Sequence, residues 1–159
     1  MSNFSYNYLP DNTFKIIFSR LPSAVFYTQE FVMPGISIPP IDNAYPGNNF
    51  KTSSGQLDVE DVQIDFIVDE NMQAYFEIYN WLKSMNVNSD TFKSFTYSDI
   101  VVMPMTANST PLNHTITLID CLPIRLGQLT FRTTASDTQY ITCSATFAVN
   151  DVQVKKVGV

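Results

Sequence analysis

Apolar and polar residues alternate most strictly over residues 57–69. Leu57 and Val59 alternate with Asp58 and Glu60; Val62, Ile64, Phe66 and Val68 then alternate with Asp61, Gln63 and Asp65. A period of two puts the apolar set on one face of a strand and the acids on the other. The parity slips by one between Val59 and Val62, as a β-bulge near Glu60-Asp61 would make it. Shorter alternations predict strands over residues 13–19, 29–33, 114–121 and 140–150, the last with Ile141, Cys143, Ala145, Phe147 and Val149 inward. Residues 36–38 run extended into Pro39-Pro40, which lack ladder donors and exclude a central strand there. Residues 100–105 are apolar and broken by Pro104, and residues 123–130 read as a bend and a short strand. The spacing changes to i, i+3, i+4 over residues 71–86: Met72, Phe76, Tyr79 and Leu82, widened by Tyr75 and Trp81, predict one helix whose aromatic stripe covers the sheet. Asp69 or Asn71 can cap it, and Glu70 suits its positive end. Residues 42–56 follow neither period and read as a long polar loop carrying Tyr45 and Phe50. Loops of that length are usually functional or disordered. The fold class expected is mainly β: an antiparallel β-sandwich or barrel with one flanking helix and a long extended loop, formed as a single domain over residues 1–159.

Composition narrows the function. The chain is 45% hydrophobic and only 15% charged, against about 25% for an ordinary soluble domain. That excludes a disordered chain, and leaves an unusually uncharged surface to account for. Net charge is -6, which argues against wrapping nucleic acid, and the basic residues Lys51, Lys83, Lys93, Lys155 and Lys156 are scattered. No basic n-region with an apolar run opens the chain, and no stretch approaches the roughly 18–20 apolar residues of a membrane span, so neither a signal peptide nor a membrane anchor is expected. Cys121 and Cys143 sit in strand-like segments and read as buried free thiols. The Asn-x-Ser/Thr matches at Asn3, Asn108 and Asn113 read as chance in a chain rich in those residues.

Catalytic chemistry is weakly supplied. His114 is the single imidazole and has no nucleophile-elbow, zinc-helix or phosphate-loop motif to serve. The acids Asp58, Glu60, Asp61, Asp65, Asp69 and Glu70 could hold a cation or form an acid/base pair. Asp61 and Asp65, however, lie about 13 Å apart along one row of a strand. They read instead as a wet face, or as an acidic surface with a purpose such as lining a channel. No enzyme, cofactor or metal is expected.

Three segments carry a resemblance. Phe31-Val32-Met33-Pro34-Gly35-Ile36-Ser37 is a strand ending in a Pro-Gly turn. Residues 57–70, running on to Tyr75, Ile78 and Trp81-Leu82, form a strand-then-helix signature. Residues 121–134 with Ala145-Thr146-Phe147 supply closing strands. Together they resemble the tail tube protein of contractile-tailed bacteriophages, whose fold is shared with the tube rings of type VI secretion. The resemblance implies a structural virion protein assembled in the host cytoplasm: homohexameric rings stacked into a hollow conduit for DNA ejection. It implies a tail sheath outside and baseplate and tail-terminator proteins at the ends. A tape measure protein and then DNA would pass through the lumen. The loop at 42–56 would reach neighbouring subunits through Tyr45, Asn49, Phe50 and Lys51. Asp58, Glu60, Asp61 and Asp65 are candidates for an acidic lumen or wet face. Six copies at -6 each would carry -36 per ring, a lumen that repels phosphates. The alternative within the same fold is a tube-forming ring of type VI secretion or another contractile injection system. A small-ligand-binding β-barrel is the alternative of a different class, though the regular hairpins of such barrels are not visible.

Overall fold

The computed structural model describes residues 9–22, 28–86, 97–133 and 139–157. The Asn3 sequon, the end of the Asn/Ser run at Asn88 and Ser89, Lys93 and Thr134 lie outside them.

The described strands are mainly antiparallel, with one helix, as the pattern predicts. They are β1 (Phe14–Phe18), β2 (Thr28–Val32), β3 (Ile36–Ser37), β4 (Pro40–Tyr45), β5 (Asn48–Ser53), β6 (Asp58–Val59) and β7 (Val62–Ile67). After helix α1 (Gln73–Ser84) come β8 (Ser98–Pro104), β9 (His114–Leu126), β10 (Thr142–Ala148) and β11 (Asp151–Lys156). The main sheet runs β1-β8-β9-β10-β7-β2, with β11 also on β9.

The organising element is β9, 13 residues long. Its first half pairs with β8 and β11, Ile116 facing both Val102 and Val154. Its second half pairs with β10, Arg125 opposite Thr146. Between the halves Asp120 takes a left-handed φ of 52°, and its backbone N–H donates to the Asp99 carboxylate at 3.1 Å. That turn lets one strand serve two four-stranded halves, β1-β8-β9-β11 and β9-β10-β7-β2. The two predicted segments at 114–121 and 123–130 are therefore one strand with a corner in it.

The core lies where the halves face each other and the helix closes over them. Ile16, Phe18, Ile100, Val102 and Leu118 come from one half; Val62, Ile64, Phe66, Cys143, Ala145 and Phe147 come from the other. The Phe147 ring meets Phe18 at 6.4 Å and Trp81 of the helix at 6.0 Å, so one side chain joins all three parts. Among the described residues no side chain that is polar or charged is buried in this core, so its stabilisation comes from apolar burial.

Four expectations are corrected by this fold. The helix buries Ala74, Ile78 and Trp81, while Phe76 and Tyr79 are exposed. Large aromatics mark both faces of α1, so the stripe read from them was out of phase with the buried one. The start of α1 carries no side-chain cap: Met72 stands at the N-cap with a φ of 53°, and the buried Oδ1 of Asp69 has no hydrogen-bond partner among the described residues. The Asp69 carbonyl, not its carboxylate, takes the Met72 N–H, at 2.9 Å. The parity slip at Glu60-Asp61 is not a bulge within one ladder. The chain changes sheet there, β6 pairing with β3 and β7 with β2 and β10. Finally, residues 40–53 are a β-hairpin and not an irregular loop. Every strand residue of the hairpin except the half-buried Thr52 is exposed, so burial imposes no hydrophobic period on it.

Candidate assembly interface

Among the described residues the hairpin β4–β5 pairs with no other strand, so it stands off the body as an arm. Its turn is Pro46-Gly47, with Tyr45 opposite Asn48 and Gly47 at a φ of 92°. Proline before a residue of positive φ is the chemistry of a type II turn. Tyr45, Asn49, Phe50 and Lys51 all lie on this arm and are exposed. Ile36, Ile38, Ile41 and Leu57 join them as exposed apolar residues around its base and stem. None of these four is read from the sequence as a contact residue; their neighbours Pro39-Pro40 and the polar run mask the signal.

The base of the arm is held by a reciprocal pair. The Glu60 backbone N–H donates to the Gly35 carbonyl at 3.0 Å, and the Gly35 N–H donates to Glu60 Oε2 at 3.2 Å. The carboxylate lies so close to Gly35 that a Cβ there would come within 2.6 Å of Oε2. A side chain at Gly35 would have to displace the end of the Glu60 side chain, and the turn and β6 close on the chain leading into the arm.

The four candidate acids do not share one face. Glu60 is taken up by the Gly35 turn. Asp58 is in β6 opposite Ser37, and Asp61 is exposed at the break. Asp65 alone stands on the outward face of the β9-β10-β7-β2 half, opposite Ser144 on one side and Glu30 on the other. Gln63 donates to its Oδ1 at 3.2 Å, and Thr146 stands opposite Gln63. Two carboxylates directly opposed across strands repel, so this face is built to stay wet. The opposed Glu30 was not recognised in the sequence, because pairing between distant strands leaves no local signal.

The outward side of α1 is a second apolar surface, with Phe76 and Tyr79 exposed and Lys83 Nζ 5.9 Å from the Tyr79 ring centre. Both thiols are free, and burial pushes the Cys121 pKa up to about 12, helped by the Asp99 and Asp120 carboxylates, while burial also raises that of Cys143. Neither is a poised nucleophile. His114 opens β9 at the surface, and among the described residues no group of three or more His, Cys, Asp or Glu is arranged for a metal. No helix of the described residues is long and apolar enough to cross a membrane.

No protein-family model and no curated relative matches the chain. Solved structures do. A chain of the PVC sheath–tube complex of an extracellular contractile injection system, in its extended state, superposes with a TM-score of 0.73 over 96% of this chain and 94% of that one, at 18% identity. A chain of the 6-fold symmetrised anti-feeding prophage baseplate gives 0.72 over 98% and 100%, at 15% identity. A type six secretion system protein gives 0.52 over 89% and 81%, at 6% identity. The chain has the tail tube fold of contractile injection systems.

Proposed function

We propose that this protein is the ring-forming subunit of the tube of a contractile injection system, a structural part with no catalytic role. The carrying observation is the likeness to a chain of a sheath–tube complex over nearly the full length of both. The exposed apolar arm and the low charge content support it, since subunit interfaces need uncharged surface. In this reading homohexameric rings stack into a tube. The arm that carries Tyr45, Asn49, Phe50 and Lys51 reaches neighbouring subunits, a sheath surrounds the tube, and baseplate and terminator proteins close its ends. The lumen takes the polar face carrying Asp65, past which a tape measure protein and cargo slide.

The solved structures favour an injection particle over the phage-tail setting that the sequence suggests. Ejection of DNA from a phage virion remains the second reading, supported by the strand-then-helix segment over residues 57–82. Sedimentation velocity on the purified protein tests the shared claim: species of six or more subunits are expected as concentration rises, and a monomer at every concentration would contradict it.

A further inference from the structure

The register of β4 and β5 sorts the arm's side chains onto two faces, because directly opposed residues of an antiparallel pair share a face. Ile41 with Thr52, Asn43 with Phe50, and Tyr45 with Asn48 form one; Pro40 with Ser53, Asp42 with Lys51, and Ala44 with Asn49 form the other. The first face exposes Ile41, Tyr45 and Phe50 at 49%, 75% and 65% and carries no charge. Its Asn43 Nδ2 donates to Thr52 Oγ1 at 2.9 Å, so those polar side chains already satisfy each other. Both charges of the arm, Asp42 and Lys51, are on the second face. An isolated two-stranded hairpin is marginal in water, and an uncovered apolar face gives it a reason to dock.

We infer that the face bearing Ile41, Tyr45 and Phe50 is the docking face of the arm and that its occupant is a second copy of this chain. The face bearing Asp42, Ala44, Asn49 and Lys51 stays in solvent. The inference rests on the tube reading above and splits the four arm residues named there, assigning Tyr45 and Phe50 to the contact and removing Asn49 and Lys51 from it. Area supports a self-contact. Ile41, Tyr45 and Phe50 offer on the order of 400 Å², about half of the roughly 800 Å² per partner in a standard interface. Charge supports it too. Copies that each carry -6 repel one another, and they meet at least cost through a face with no charge.

The test is thiol labelling of the full chain. Both native cysteines are buried, so Tyr45→Cys and Asn49→Cys each add the one readily accessible thiol among the described residues. On going from dilute to assembled protein, maleimide labelling of the Tyr45→Cys thiol should slow at least tenfold, and that of the Asn49→Cys thiol less than twofold. Failure of Tyr45→Cys alone to assemble counts as support. In parallel, Phe50→Ser should raise the concentration needed for assembly at least tenfold, and Lys51→Ser less than twofold. Assembled protein whose Tyr45→Cys thiol labels as fast as in dilute protein, or whose Asn49→Cys thiol is the protected one, overturns the docking face while leaving the tube reading intact. A chain that stays monomeric at every concentration overturns both.

Discussion

At Gly127, just past the end of β9, the backbone lies hard against β10. A Cβ there would lie 2.8 Å from the Ser144 carbonyl oxygen, and the Gly127 N–H donates to that oxygen at 2.7 Å. Backbone cannot step aside as a side chain can, so Gly127→Ala should destabilise the subunit by about 1–3 kcal/mol. Gly35→Ala meets only the end of the Glu60 side chain and should cost under about 1 kcal/mol, mostly the loss of an exposed hydrogen bond. Thermal unfolding of the two variants gives the order. Cys121 makes a residue-scale prediction with a definite sign. Its folded pKa, about 12, is raised above the ordinary thiol value of 9.0, so the folded state holds its proton longer than the unfolded one. The associated stability is complete below pH 9 and is lost as pH rises from 9 towards 12. Cys121→Ala should therefore lose less stability than the parent chain between pH 9 and 11 in denaturant titrations, whatever its lower starting stability.

At the scale of elements, what was legible in the sequence depended on whether an element buries one face. Strand β7 and strand β10 each bury alternate residues, and their alternation predicts them directly. The arm buries neither face, so its strands left no period to read. Strand β11 was missed although Val152 and Val154 alternate with Gln153 and Lys155, because Val154 is 60% exposed and the run is short. In α1 the existence of the helix was legible and its phase was not: Phe76 and Tyr79 satisfy helical spacing on the outward side while Trp81 satisfies it on the inward side. The Trp81 ring packs on Phe147, so Trp81→Ala should cost about 3–5 kcal/mol of subunit stability. Phe76→Ala should cost under about 1 kcal/mol, since its side chain is already 52% exposed. Chemical denaturation separates these. Of the candidate site, the aromatic residues of the arm were legible; the division of the acids among four settings was not, because it depends on sheet pairing between distant strands.

For the whole molecule, a net charge of -6 and an uncharged docking face set the response to salt. Repulsion between copies is long-ranged and is screened as the Debye length falls from about 30 Å at 0.01 M to about 8 Å at 0.15 M salt. Apolar contact is not weakened in the same range. Assembly should therefore strengthen as salt rises between those values, which light scattering would follow. A decline with salt would mean that attraction between opposite charges, not apolar burial, holds the copies together. The central claim is that the exposed arm and low surface charge belong to a subunit built to close into rings and stack. Negative-stain microscopy of the purified full chain at high concentration tests it most directly. The account predicts six-fold rings with an open centre, alone and stacked into tubes. A field of isolated single subunits, with neither rings nor tubes at any concentration or salt, would contradict it.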